Sequence, residues 1–496
     1  MIEIMDKLQV FLPVKAIAKK SEFDDGGYEI VDARTNVEIG GYSINENGEL
    51  IGFSLFEEPS AGKLAKEEIA AIAQKFVDTF YPGQTEYELS GILDLDNPYM
   101  ITYEKRDQKY GIFIHSTGLT VSVSTSGQIT SFYCDEEDYE IRYSDIVVSE
   151  KEALEKYIEA LDFELNIQKF DRDVYENGDN QYHLAYSVIE HTMEIPVDGS
   201  EISSIREGFE LDSPIEKIEV PNDSIYELIG ITNAYQLLGK QVKEGYRVEI
   251  WSMHDEVEEY TFDMDEIDDH VIKLCFDEKS NRLLQVVSGE ESANEGVKVE
   301  LASAKERALE MMFTLFPDTH ERYRLEVFED ENGEFDEEME DTEEEDFGDE
   351  EFTNDICDED ELEDDWSEEL IEHEDTYTFY FHLHHNGVRV DGHVSFISVG
   401  KYTEKIKHVQ LDIPDEALYK KLPTSPVISR TEAKEIYKKH LKMERMFIRE
   451  YNDDGKSIYT LAYVPDFPTT VGHVRAIDAV TGKAMYVDVG DATFFN

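Results

Sequence analysis

The strongest constraint on this chain is internal, because its second half echoes its first. Residues 28–209 find a counterpart in residues 246–496. The clearest echo sets Ser149-Glu150-Lys151-Glu152-Ala153-Leu154-Glu155-Lys156-Tyr157 against Ser429-Arg430-Thr431-Glu432-Ala433-Lys434-Glu435-Ile436-Tyr437. Downstream, Tyr182-His183-Leu184-Ala185-Tyr186 answers to Tyr459-Thr460-Leu461-Ala462-Tyr463. A repeated sequence unit implies a repeated fold unit, so architecture can be argued before chemistry.

Each unit reads as a meander of strands followed by a helix. Strands are expected at 28–33, 37–44 and 50–55 in the first unit, and at 247–251, 258–262, 271–276 and 283–287 in the second. Ile69, Ile72, Ala73, Phe76 and Phe80 recur at helical spacing, and Pro82 closes that helix. The second copy runs Ala304, Ala308, Met311, Met312 and Leu315, closed by Pro317. Further strands follow at 100–103, 110–114, 119–123 and 129–133. A second helix begins at Ser149, where Ser149 and Glu152 form a capping box; Ser429 with Glu432 repeats it, and Ser303 with Glu306 offers a third. Ala153, Tyr157, Leu161 and Leu165 make the buried stripe, matched by Ala433, Tyr437 and Leu441. Meanders beginning at 181–188 and 458–463 complete the pattern. The expected fold is α+β: a tandem duplication, residues 1–230 and 231–496, with two helix-plus-meander modules in each unit.

A short signature marks the bends. Asp32-Ala33-Arg34-Thr35-Asn36, Asp277-Glu278-Lys279-Ser280-Asn281 and Asp478-Ala479-Val480-Thr481-Gly482 share an acid, two variable residues, a hydroxyl and then Asn or Gly. Ser124-Thr125-Ser126-Gly127 is a looser relative. The acid can accept turn N–H bonds and the last residue tolerates positive φ, so these read as hairpin turns, not phosphate loops.

The charge balance is extreme, with 114 acids against 45 bases and a net charge of -69. Such a surface repels nucleic-acid phosphates and anionic lipid, and favours cations or a basic partner. No Lys or Arg occurs from 325 to 388, and residues 329–374 are mostly Asp and Glu. This reads as an insertion too polar to offset its ordering entropy, expected to be disordered or partly helical. Without it the chain still carries about −40, so the acidity is global. The start, Met1-Ile2-Glu3-Ile4-Met5-Asp6, is acidic where a secretion signal is basic. No apolar run approaches a bilayer span. Cys134, Cys275 and Cys357 are odd in number and far apart, which supports neither a disulfide framework nor a zinc knuckle. The expected compartment is the cytoplasm.

The paired units, the Ile477-Asp478-Ala479-Val480-Thr481-Gly482-Lys483 hairpin and the helix-then-meander order resemble the YcdB/YcdC repeated-domain family, itself related to PepSY modules. The resemblance covers most of residues 28–496 outside the acidic insertion. It implies PepSY-like modules, each a helix packed on a curved antiparallel sheet, and a Gram-positive bacterial origin. PepSY modules occur in propeptides of secreted metallopeptidases, which implies inhibition or folding assistance as a role. Many members look exported, whereas this chain shows no leader. The resemblance carries over no catalytic residues.

Chemistry-bearing motifs are few. Tyr380-Phe381-His382-Leu383-His384-His385 reads as a strand, so His382 and His384 share a face at a metal-ligand spacing, with His393 and Asp391 able to join from the next strand. Cross-strand packing is the alternative, since His384 aligns with His115. With so many acids, a catalytic carboxylate pair would be arbitrary. No calcium loop, phosphate loop, Gly-x-Ser-x-Gly elbow or His-Glu-x-x-His helix occurs. Cys134 follows a strand and could be reactive. Three readings follow. The first is a non-enzymatic interaction protein without cofactor, recognising a peptide or a basic protein, which could be a peptidase, by edge-strand addition. The second is a metal-dependent hydrolase or metal-binding protein using His382, His384 and His393. The third is an acidic mimic of nucleic acid.

Overall fold

In the computed structural model the described residues are 2–487 and 491–494, except 22–25, 57–61, 84–85, 96, 136–137, 191, 193, 201–211, 220–223, 255–256, 258–259, 293, 327–372 and 453–454. Nearly all of the acidic run at 329–374, and Cys357 within it, lie outside them. The fold is α+β with mostly antiparallel sheets.

After a short helix α1 (Ile2–Leu8), four strands form a meander: β1 (Ala16–Lys20), β2 (Gly27–Asp32), β3 (Glu38–Ile44) and β4 (Leu50–Leu55). Helix α2 (Lys66–Phe80) crosses, and β5 (Tyr87–Asp94), β6 (Tyr99–Arg106), β7 (Phe113–Val123) and β8 (Ile129–Cys134) return. The strand order is β1-β2-β3-β4-β8-β7-β6-β5. Ile69, Ala73, Phe76 and Val77 of α2 are buried in one core with Ile101, Leu119, Val121 and Phe132 of the sheet. Each of these Ile, Leu, Val and Phe side chains contributes about 1.5–3 kcal/mol by leaving water. Residues 113–123 form one long strand where two short ones were expected.

A connecting stretch holds β9 (Tyr139–Arg142), α3 (Glu150–Ala160), β10 (Asp162–Lys169), β11 (Tyr182–Ile189), β12 (Ile195–Pro196) and β13 (Asp212–Pro214). Then comes α4 (Ile225–Ile229), followed by β14 (Gln236–Lys243), β15 (Tyr246–Ser252), β16 (Ile272–Asp277) and β17 (Leu283–Ser288). Helices α5 (Leu301–Leu315) and α6 (Thr319–Arg322) lead to β18 (Tyr323–Glu326), β19 (Thr376–His385), β20 (Val388–Gly400) and β21 (Ile406–Gln410). Here the order is β14-β15-β16-β17-β21-β20-β19-β18, strand for strand the order of the first sheet. Residues 260–262 are not a strand, and the Ser303 capping box does not form. Helix α5 begins earlier, with Glu300 as N-cap, and the Ser303 hydroxyl donates to Glu404 instead. The Ser149–Glu152 and Ser429–Glu432 boxes do form.

The last stretch holds α7 (Arg430–Lys438), β22 (Lys442–Tyr451), β23 (Ser457–Asp466), β24 (His473–Asp478), β25 (Ala484–Val487) and β26 (Asp491–Phe494). Strand β26 joins the edge of β5, and β13 fills the matching edge of β18. At the centre the halves trade strands. From the first half, β12 pairs with β23, setting Ile195 opposite Tyr463; from the second half, β24 pairs with β11, setting Ile477 opposite Tyr186. The backbone repeats the trade. The Val197 N–H donates to Leu461 and the Ala479 N–H to Leu184. The side chains repeat it again: Tyr463 Oη donates to the Val148 carbonyl at 3.1 Å and Tyr186 Oη to the Ile428 carbonyl at 3.2 Å. Helix α3 packs on β22 and β12, while α7 packs on β24. Strands from residues 182–196 and from residues 457–478 are therefore interleaved at the centre. One continuous core runs from Ala153 and Tyr157 through the second sheet to Ala433 and Tyr437.

The expected bends are hairpin turns. Asp32 Oδ1 accepts from the Arg34 and Thr35 N–H groups, Asp277 Oδ1 from Ser280, and Asp478 Oδ1 from Val480 and Thr481. Asn36, Asn281 and Gly482 follow at φ of 58°, 54° and 75°. The β20–β21 turn lacks this acid, and Glu374 reaches in from the start of β19 to accept from the Tyr402 and Thr403 N–H groups.

Candidate functional site

Strand alternation buries Phe379, Phe381 and Leu383 of β19 in the core and turns His382 to the other face, opposite Arg324. A register shift then separates His382 from His384. Both rings are buried. His382 Nε2 meets Glu326 at 3.1 Å, and His384 Nε2 meets Asp212 at 3.2 Å while its Nδ1 faces the His382 carbonyl. Asp212 and Glu326 lie directly opposite each other on β13 and β18, and Arg324 also contacts Asp212 at 3.2 Å. Burial holds the His384 pKa below its ordinary value, outweighing the His382 carbonyl and Asp212, so near neutrality the ring is an uncharged hydrogen-bonding group. The arrangement fastens the short strand β13 to the sheet edge.

His393 stands elsewhere. Val394, not His393, lies opposite His382. Its Nδ1 meets Asp412 at 2.9 Å and its Nε2 meets the Tyr182 hydroxyl at 2.7 Å. Asp391 lies near Tyr175. The structure thus brings His382 and His384 into one network and leaves His393 in another. Among the described residues no group of three or more His, Cys, Asp or Glu is disposed to hold a metal ion. His115 pairs with Glu104 at 2.9 Å. Cys134 and Cys275 are buried; Cys134 closes β8 inside the first core, and burial raises the Cys275 pKa.

A polar centre absent from the sequence reading lies at the strand exchange. His183 of β11 is held between two carboxylates, Asp478 Oδ2 on Nδ1 at 2.9 Å and Asp179 on Nε2 at 3.1 Å. The hydrogen bond to Asp478, helped by Asp179, raises the His183 pKa despite its burial. Burial pushes Asp478 upward, but His183 and the turn N–H groups outweigh it and hold the carboxyl at about 2. The Asp478 turn signature was the one available clue, since nothing local to His183 announces a partner some three hundred residues away.

Two strand edges are candidates for binding. Among the described residues strand β14 pairs only with β15, and most of its residues are exposed, including Leu237 at 44% and Val242 at 50%. Its lysines are already engaged, Lys240 with Glu249 at 3.4 Å and Lys243 with Glu244 at 3.8 Å. Strand β1 is the corresponding edge of the first sheet. No helix among the described residues is long and apolar enough to cross a membrane.

Over 460 residues, 89% of this chain and 87% of the relative, the chain is 26% identical to the uncharacterized protein YcdB of Bacillus subtilis (strain 168). Among solved structures, the Bacillus megaterium YpeB C-terminal domain matches at a TM-score of 0.25 and 16% identity, covering 41% of this chain and 92% of that one. Residues 33–136, which span β3 to β8 with α2, match the family model of the YcdB, YcdC repeated domain. The chain is therefore similar to the YcdB, YcdC repeated domain over residues 33–136 and to YcdB along most of its length.

Proposed function

We propose that the chain is a non-enzymatic binding protein, made of two copies of one unit (residues 1–230 and 231–496), each holding two PepSY-like modules, and that it takes up a peptide or a basic protein partner by strand addition. The repeated strand order supports the duplication. The observation that carries the binding mode is the outer edge of β14, which offers a pairing template over residues 239–243, beyond the register shift at Leu238, whose carbonyl accepts from the Tyr260 hydroxyl. Edge addition is already a habit of this chain, since β26 extends β5 and β13 extends β18 in the same way. The net charge of -69 draws cationic partners and speeds their arrival, less so as salt rises. A peptidase is the partner class suggested by the family resemblance, and the cytoplasm is the compartment proposed with it.

The test uses two fluorescent extended peptides of equal length, one lysine-rich and one glutamate-rich. Separate Gln241→Pro and Val242→Pro variants are compared with the parent. Neighbouring N–H groups on a strand point to opposite sides, so one of the two prolines interrupts the outer edge alone. The reading expects the basic peptide to bind, to bind less at high salt, and to lose binding in one proline variant. Equal binding of both peptides, or binding untouched by either proline, contradicts it.

A further inference from the structure

The two exchanged junctions share one backbone geometry but differ in chemistry. Where β24 lies on β11, Ala185 faces Asp478 and the neighbouring side chain is His183. Where β12 lies on β23, Ala462 faces Pro196, and Thr460 stands in the place of His183. Among the described residues only the first of these junctions has ionisable pairs across it, His183 with Asp478 and Arg475 with Glu190, and of these only the histidine titrates near neutrality.

We propose that His183 is a proton-operated clamp that sets how firmly the β24–β25 hairpin is held on β11. Its ring is gripped from two elements. The turn at residues 171–180 supplies Asp179, whose Oδ1 also accepts from the Gln181 N–H. The turn at residues 478–483 supplies Asp478 and, beside it, Lys483, whose Nζ donates to the Asn177 carbonyl at 3.0 Å and whose charge reaches Asp179. The Phe170 ring, 5.1 Å from the imidazole, closes the remaining side. When protonated, both ring nitrogens donate, one to each carboxylate, so the cation bridges the first half and the incoming hairpin. When neutral, the ring donates to one carboxylate only, and the other faces a lone pair. Asp478 keeps its hold on the Val480 and Thr481 N–H groups in either state, so the hairpin turn persists while its docking loosens.

The sign follows from linkage. A histidine whose folded pKa is raised contributes its full stabilisation below its unfolded value of 6.5 and loses it as pH rises through the folded value. One released proton allows an opening equilibrium to grow by up to about tenfold per pH unit across that window.

Hydrogen exchange of the full chain, read by mass spectrometry and corrected for intrinsic rates, tests this at pH values on both sides of 6.5. The reporter is the Ala479 N–H, bonded to Leu184; the internal reference is the Val197 N–H, bonded to Leu461 at the other junction. The expected result is an opening constant that rises severalfold with pH at Ala479 and stays flat at Val197, with the rise abolished in His183→Gln. Should that variant not fold, Asp179→Asn is expected to weaken the rise, because it removes one of the two acceptors. Equal pH dependence at both junctions, or a rise that survives in the folded variant, overturns the proposal.

Discussion

The first sheet and the matching run of strands in the larger second sheet have the same order and different outer surfaces. In the first, the pairs facing away from the core on β3 and β4 are Gly41 with Ser54 and Ser43 with Gly52. In the second, the matching pairs on β16 and β17 are Lys273 with Val287 and Cys275 with Gln285. Lys273 is buried to 1% exposure because an acidic loop folds over it: its ammonium donates to the carbonyls of Asp263 and Glu266 at 2.6 and 2.8 Å and pairs with Asp268 at 2.8 Å. One topology thus yields a bare face of small residues and a covered face pinned by a single cation. The difference teaches that the strand order is a shared scaffold, and that any site specific to one half is built from what stands on it.

The largest expected effect tests the covered face. Lys273→Met leaves Asp268 and two carbonyls without their cation and should cost about 3–5 kcal/mol in urea unfolding, the usual penalty for breaking a buried pair. A loss below 1 kcal/mol would mean that the loop is held by something else. Asp478→Asn comes next, at about 1–3 kcal/mol, because it removes a charged acceptor from His183 and two turn N–H groups. It should also flatten the acid limb of the stability profile. A carboxyl held at about 2 contributes stability above its ordinary 3.8, and that contribution disappears as pH falls through the depressed value. A parent protein with no loss of stability across that interval would speak against the geometry. Smaller again, Tyr186→Phe and Tyr463→Phe should each cost about 1 kcal/mol and should agree with one another, since each removes one hydroxyl-to-carbonyl bond across the exchange. Unequal losses would show that the central symmetry is only apparent. On the bare face, Ser54→Ala should change stability by less than about 0.5 kcal/mol.

Much of the local structure was legible in the sequence. The apolar stripes of α2, α3, α5 and α7, the two capping boxes and the acid-led turns are rules of short range, and each can be read from residues a few positions apart. The edge strands β1 and β14 were missed because half-polar segments such as Ala16-Ile17-Ala18-Lys19-Lys20 lack the alternation of a strand with one face in a core. Helix α5 starts ahead of the expected box because Val299 hands its N–H to the Lys401 carbonyl and fixes the chain direction early. The strand exchange was invisible for a deeper reason. Period-two alternation says which face of β11 or β23 is buried, but not which strand lies alongside, and partners three hundred residues apart have no local mark. The same limit separated His393 from His382 and His384, since the shift within β19 and β20 decides their neighbours and no residue spacing encodes it.

At the centre of the molecule the front and rear of the chain are joined by exchanged strands. The direct measurement is to place a protease site within residues 201–211, cut the folded chain once, and pass it through gel filtration under native conditions. The strand exchange predicts a single peak containing both fragments, which separates only in denaturant. Two fragments eluting apart as folded bodies would contradict it.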